Sequence, residues 1–242
     1  MIIDISKPIN IVCSEPFRVE RTNLQQAAID NNWKEFIKDK NPADFFNGEV
    51  FLVNNIIFDE NEYVLEVGSS RYADLVYAKE TGKLKVRSLF VASYIVTSDG
   101  FLCVIKNKRN RINTIGGMAD DSDFLNGQFQ PWKCLIREWE EEMGVNLETD
   151  SRFGEVNKRF LKIPGRHEEN ISLYPVGILY EVQTSLSRQE LIDFFNNRKI
   201  FTDGEICKLL FYDNKTYLTL EQENAEGYIY EMFTHLFNFT IK

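Results

Sequence analysis

Glu138, Glu141 and Glu142 are the residues whose types and spacing could do chemistry. They stand in the segment Arg137-Glu138-Trp139-Glu140-Glu141-Glu142-Met143-Gly144-Val145. An α-helix turns about 100° per residue, so Glu141 lies about 60° to one side of Glu138 and Glu142 about 40° to the other. Trp132, Leu135, Ile136, Trp139 and Met143 fill a separate apolar arc. Like charges at these spacings repel by roughly 0.2–0.5 kcal/mol per exposed pair. Near a helix C-terminus they also oppose the macrodipole. A sequence tuned for helix stability alone would not choose this face. A hard divalent cation reverses the sign, because Mg2+ takes carboxylate oxygens together with substrate phosphates. The alternative is a solvated acidic face without chemistry.

The elements that must position this face follow from periodicity and turn residues. Pro131 suits the first turn of a helix that runs to Met143 and is closed by Gly144. Upstream, Leu89 to Val96 and Phe101 to Ile105 flank Ser98-Asp99-Gly100 and predict a hairpin. A basic loop from Lys106 to Arg111 follows, then Gly116-Gly117 and a polar, irregular stretch to Gln130. Nearer the N-terminus the pattern predicts a helix over 23–39, capped by Thr22 or Asn23. Short strands are predicted at Val50 to Val53, Tyr63 to Val67 and Leu75 to Ala78. Toward the C-terminus, strands are predicted at Phe160 to Ile163, Ile171 to Val182 and Ile206 to Tyr212. Helices are predicted at 187–196, where Ser187 and Glu190 form a capping-box pattern, and at 221–237. Mixed strands, helices and hairpins predict an α/β or α+β class. A composition break near residue 85 suggests units at 1–85 and 86–242.

Composition narrows the partners. The formal charge is −9 over 242 residues, which disfavours a nucleic-acid backbone or an anionic membrane as partner. No apolar run reaches the ~18 residues of a membrane-spanning helix. The N-terminus carries no basic, cleavable leader pattern. Cys13, Cys103, Cys134 and Cys207 form no CxxC, and His167 and His235 are too few for a zinc site. These features predict a cytoplasmic protein with reduced thiols.

The segment from Arg137 to Val145 resembles the second half of the Nudix box, REUxEExGU, in which U is a bulky apolar residue. Arg137, Glu138, Trp139, Glu141, Glu142, Gly144 and Val145 match all its constrained positions. The first half departs from the pattern. Asp123 stands where the family has a glycine, and Phe129 where it has a glutamate. Gly117 lies six residues before Asp123, which looks like an insertion in the loop. Asp120, Asp121 and Asp123 are the candidates to replace the missing glutamate. A weaker resemblance links Asn41-Pro42, Phe45 or Phe46, Gly48, Phe51, Leu52, Leu65, Gly68, Tyr72 and Asp74 to the leader of the UDP-glucose/UDP-galactose pyrophosphatase-like branch.

The resemblance implies a Nudix α/β/α sandwich with a mixed sheet over 86–242, fused to an N-terminal α+β subdomain. It implies Mg2+-dependent (or Mn2+-dependent) hydrolysis of a nucleoside diphosphate linked to another moiety. The best-matching substrate is UDP-glucose or UDP-galactose, giving UMP and a sugar 1-phosphate. ADP-ribose or another nucleoside diphosphate derivative is the alternative, and a non-catalytic nucleotide-binding module is a second. By the same resemblance Glu138, Glu141 and Glu142 ligate the metal, Arg137 orients a carboxylate, and Glu141 takes part in catalysis. A further acid from a later loop serves as base or extra ligand, with Glu205 the first candidate and Asp203, Glu168 and Glu169 behind it. Gly116, Gly117, Arg109 and Arg111 are candidates to meet substrate phosphate, within a cationic cluster that includes Lys106 and Lys108. A solvated basic loop is the competing account of those cations. Tyr72 could stack on a base, and His167 could act as acid or ligand; a buried tyrosine and a surface histidine are the competing accounts.

Overall fold

The computed structural model describes residues 2–4, 9–10, 21–40, 47–58, 62–154, 159–163, 175–198, 204–223 and 225–240. The order is β1 (Ile2–Asp4), β2 (Ile9–Asn10), α1 (Asn23–Ile37), β3 (Glu49–Phe58), β4 (Tyr63–Arg71) and α2 (Tyr72–Thr81). Then come β5 (Arg87–Val96), β6 (Leu102–Asn107), β7 (Ile112–Asn113), β8 (Ile115–Met118), β9 (Phe124–Leu125), β10 (Gln128–Phe129) and α3 (Pro131–Met143). The chain ends with β11 (Arg159–Lys162), β12 (Val176–Gln183), α4 (Arg188–Arg198), β13 (Ile206–Tyr212) and α5 (Gly227–Thr240).

The pivot is β5, whose alternation supplies both faces of the protein. It pairs in parallel with β12 along its whole length, Leu89 opposite Val176 through Val96 opposite Gln183. Its other edge is shared by three antiparallel partners in turn: β3 at Arg87 and Ser88, β8 at Phe90 to Ser93, and β6 at Ile95 and Val96. Leu89, Val91 and Ile95 face one way and pack with Leu135, Trp139 and Met143 of α3 and Leu191 and Phe195 of α4. Ala92 and Tyr94 face the other way and pack with Ile229, Met232, Phe233 and Leu236 of α5. Helices therefore cover both faces of a mixed sheet, the α/β class expected.

Sheet and core run across residue 85. The β3–β4 ribbon joins through β5, and its Phe51, Val53, Leu65 and Val67 belong to the same core as Val91 and Trp139. On the outer side α2 packs Leu75 and Ala78 onto Leu52 and Val86, with Met118 of β8 against them.

The predicted caps hold for α1, where the Gln25 amide donates to Thr22 Oγ1 at 3.2 Å and the Thr22 amide to Gln25 Oε1 at 3.0 Å. They hold again before α4, where the Ser187 amide donates to Glu190 Oε2 at 2.8 Å. Gly144 closes α3 with φ +64°. Three expectations change. Leu75 to Ala78, read as a strand, lie in helix α2, which is buried from Ala73 to Ala78 and so carries no polar face to reveal its period. The predicted helix over 221–237 is a 3-10 turn at 217–222 followed by α5 from Gly227. The irregular stretch before Gln130 contains a hairpin, β9–β10, turned by Asn126 (φ +53°) and Gly127 (φ +75°). An Asn-Gly pair with both residues at positive φ suits a two-residue turn between twisted strands. Residues 171–174 of the predicted strand, and the segments 41–46 and 199–203, lie outside the described residues.

Candidate active site

Helix α3 sits against the sheet because Trp139, Leu135, Cys134 and Met143 are fully buried. Its Trp139 Nε1 donates to Ser93 Oγ on β5 at 2.8 Å, so an otherwise orphaned indole N–H is satisfied. This rotation turns Glu138 and Glu142 toward β8. The Gly116 amide donates to Glu142 Oε2 at 3.1 Å. A Cβ on Gly117 would lie 2.3 Å from Glu138 Oε1, so only glycine leaves room for that carboxylate. At Gly116 a Cβ would lie 2.1 Å from the Val91 carbonyl oxygen, and its φ is +145°. Gly116 is thus required by the close approach of β5 to β8, and Gly117 leaves room for the Glu138 carboxylate.

Glu138 is 9% exposed, Glu142 is also buried, and Glu141 stands at the solvent edge. Burial, together with repulsion from Glu141, pushes the Glu138 carboxyl up to about 7, against the pull of Arg137. Arg137 Nη1 donates to Glu138 Oε1 at 2.7 Å and lies 3.6 Å from Glu141 Oε2.

The rest of the guanidinium is held by Asp123. Arg137 Nε and Nη2 donate to Asp123 Oδ1 and Oδ2 at 3.2 and 2.9 Å, a two-point clasp that fixes the plane of the arginine. Nη2 also donates to the Met118 carbonyl oxygen at 3.2 Å and lies 3.6 Å from Asp120 Oδ2. Asp123 is 1% exposed, and its Oδ2 also accepts the Asp120 amide at 3.0 Å. Of the three acids considered for the missing glutamate, Asp123 makes the clasp with Arg137. Phe129, at the glutamate's own position, is buried in the core on β10. Asp121 turns elsewhere: burial and the neighbouring Glu49 carboxyl raise its pKa.

The other predicted residues fall as follows. The basic loop closes as a tight turn, with the amides of Arg109 and Arg111 donating to Asn107 Oδ1 at 3.1 and 3.0 Å. Arg111 Nη1 lies 3.5 Å from Glu226 Oε1, while the Arg109 side chain is exposed. Glu205 Oε1 lies 3.2 Å from Lys108 Nζ, and the Lys108 amide donates to the Glu205 carbonyl oxygen at 3.0 Å, so this acid is tied to the basic loop. Tyr72 packs edge-on against Trp33. His167, Glu168, Glu169 and Asp203 lie outside the described residues. Cys103 and Cys134 are free and buried, and burial pushes both thiols up.

Two features escaped the sequence reading. Tyr228 at the start of α5 shares a 2.6 Å hydrogen bond with Thr114 Oγ1 and donates to Asn113 Oδ1 at 2.7 Å. Its burial, and the negative charges of Glu226 and Glu142, push its phenol up. Phe51 of β3 stacks on Phe124 of the inserted hairpin with ring centroids 3.9 Å apart. The Asn-Gly turn was a signal for that hairpin; nothing local signals the contact.

Glu138, Glu141 and Glu142 fit a hard divalent cation in donor type and spacing, since all offer carboxylate oxygens on adjoining turns. Burial is the main cause of the raised pKa of Glu138, with the Glu141 charge adding to it. Among the described residues, no three Asp, Glu, His or Cys side chains already converge as a metal cage.

No protein-family model matches the sequence, and no curated protein matches it. Solved structures similar to the chain include DR0079 from Deinococcus radiodurans, with 17% identity and TM-score 0.49, covering 78% of this chain and 98% of that one. A NUDIX-family hydrolase from Clostridium perfringens has 17% identity and TM-score 0.37, covering 63% of this chain and 97% of that one. The MutT protein from Methanosarcina mazei Go1 has 12% identity and TM-score 0.41, covering 64% of this chain and 96% of that one. Among the described residues no helix is long and apolar enough to cross a membrane.

Proposed function

We propose that this protein is a Nudix-type, divalent-metal-dependent hydrolase of a nucleoside diphosphate linked to a second moiety. The observation that carries it is the assembly of Arg137, Glu138 and Glu142 on one helix against Gly116-Gly117, with Glu138 buried and lifted toward neutral pH. The preferred substrate is a nucleoside diphosphate sugar, UDP-glucose or UDP-galactose, split by water into UMP and a sugar 1-phosphate. This choice rests on the N-terminal resemblance, whose Phe51, Leu52, Leu65, Tyr72 and Asp74 all lie in the ribbon and helix beside the site. A bound divalent cation such as Mg2+ would supply charge neutralisation for the diphosphate and Lewis acidity for activating water. Glu138, Glu141 and Glu142 would hold it, Arg137 would keep the Glu138 carboxylate aimed, and Glu205 is the candidate base. Arg109 and Arg111 draw the diphosphate toward the Gly116-Gly117 turn. Free, buried Cys103 and Cys134 support a reducing compartment, which we take to be the cytoplasm.

The departure at Phe129 favours a second reading, a nucleotide-binding module without turnover. One experiment separates them: product release by mass detection from UDP-sugars, ADP-ribose and dinucleoside polyphosphates, with Mg2+ or with EDTA. Mg2+-dependent UMP from a UDP-sugar supports the proposed reaction. AMP from ADP-ribose keeps the hydrolase and replaces the substrate. Thermal stabilisation by a ligand without turnover supports the binding module.

A further inference from the structure

We infer that the N-terminal ribbon is a working part of the catalytic site: Phe51 positions Arg137 through Phe124 and Asp123. This rests on the hydrolase reading for its kinetic consequence, but not for its structural one.

The chain of contacts is continuous. Asp123 clasps Arg137 from the residue immediately before β9, so its backbone must be fixed for the clasp to aim the guanidinium. On its N-terminal side Asp123 closes a 3-10 turn, its amide donating to the Asp120 carbonyl oxygen at 3.1 Å. On its C-terminal side the β9–β10 hairpin holds it, the Gln130 amide donating to the Asp123 carbonyl oxygen at 2.8 Å. A two-strand hairpin with two residues per strand is not stable by itself. Its rigidity must come from what it packs against. Phe124, next to Asp123, packs between Phe51, at 3.9 Å between centroids, and Phe129, at 5.3 Å. Phe51 is itself fixed, since it is buried within β3, paired with Ser69 of β4, and its amide donates to the Ala119 carbonyl oxygen at 3.5 Å. Ile56 and Tyr63 of the same ribbon also pack against this core. Across the same seam, Glu49 at the start of β3 stands close enough to Asp121 for its negative charge to join burial in raising the Asp121 pKa. Within the chain, the loop insertion supplies the acid that Phe129 cannot, and the ribbon supplies the wall that holds the insertion. Phe51, Phe124 and Asp123 are positioning residues; none of them has to touch substrate.

The test uses the full chain and reads Arg137 directly. In wild type the Arg137 Nε–H, donated to buried Asp123, should give a slowly exchanging side-chain signal in 15N NMR. Phe51→Leu removes the ring but keeps an apolar side chain, and Asp123→Asn keeps the shape but removes the charge. Both are expected to bring Arg137 Nε–H exchange up to that of the exposed arginines. Both are also expected to lower kcat by roughly 10–100-fold, the usual effect of losing a partner that orients a ligand, with KM within about twofold. Ile29→Val, in the core between α1 and α2, is the control for general loosening of the N-terminal unit and should leave the Arg137 signal slow. Restoring an aromatic ring with Phe51→Tyr should restore both readouts. An unchanged Arg137 signal in Phe51→Leu overturns the inference, as does equal loss of that signal in Ile29→Val. If wild type hydrolyses nothing, the hydrolase reading fails, and the exchange measurement alone decides whether the seam holds Arg137.

Discussion

Replacing Gly117 with alanine should separate activity from stability more cleanly than any other substitution at the site. A Cβ there lies 2.3 Å from Glu138 Oε1 and 2.5 Å from Glu138 Cδ and Oε2. Ordinary contact begins near 3.4 Å, so the carboxylate must withdraw by about 1 Å. Gly117 is not among the positive-φ residues, so alanine meets no backbone strain. The obstacle is the far end of a flexible side chain, and the fold can yield. The stability loss should be about 1 kcal/mol, the worth of disturbing the hydrogen bond from Arg137 to Glu138. For a chain of this length that is a fall in Tm of roughly 2–4 °C. Function should suffer far more, because a misplacement of about 1 Å costs roughly 10²-fold in rate. That is about 2.7 kcal/mol of transition-state stabilisation. The assay is kcat and Mg2+ dependence of Gly117→Ala beside its melting curve. Gly116→Ala is the contrast: its Cβ would strike the Val91 carbonyl oxygen at 2.1 Å, and backbone cannot swing aside, so it should lose stability first. A Gly117→Ala protein with wild-type turnover and wild-type metal dependence would refute the placement of Glu138 at the reacting centre.

Further outcomes follow from the same geometry. The Glu138 pKa is raised from 4.5 to about 7, so the folded protein holds a proton there that the unfolded chain has released. Metal-free protein should therefore lose stability as pH rises from about 4.5 to about 7, as read by chemical denaturation, and saturating Mg2+ should offset the loss near pH 7. A flat metal-free profile in that window would contradict the burial of a charged Glu138. Trp139→Phe deletes the donor to buried Ser93 Oγ and should cost roughly 1–3 kcal/mol in urea unfolding. Glu205→Gln should lower kcat by roughly 10²-fold or more if this acid accepts the proton of the attacking water. An unchanged kcat would leave Glu205 with a structural role at the basic loop.

The parts of the structure governed by local rules were legible. Pro131, Gly144 and the apolar arc through Trp139 delimit α3, and the β5–β6 hairpin follows from Ser98-Asp99-Gly100. The three-glutamate face was legible for the same reason, as helical spacing alone puts those carboxylates together. What failed was decided by tertiary contact. Helix α2 is buried on every side, so Leu75-Val76-Tyr77 looks like a strand until Met118 and Leu52 are seen to enclose it. The β9–β10 strands are too short to show a period. The role of Asp123 depends on a clasp across 14 residues, and spacing gave Asp120 and Asp121 equal standing. The Phe51–Phe124 contact joins residues far apart in sequence, and no local pattern encodes it.

The central claim is that Glu138, Glu141 and Glu142 hold a divalent cation for diphosphate hydrolysis. Its most direct test is an EPR titration of Mn2+ into the wild type, Glu138→Gln and Glu141→Gln, with and without UDP-glucose. Mn2+ should bind wild type, be displaced by excess Mg2+, bind more tightly with the nucleotide, and bind at least tenfold more weakly in each variant. Equal Mn2+ binding in all three proteins, indifferent to nucleotide, would contradict it.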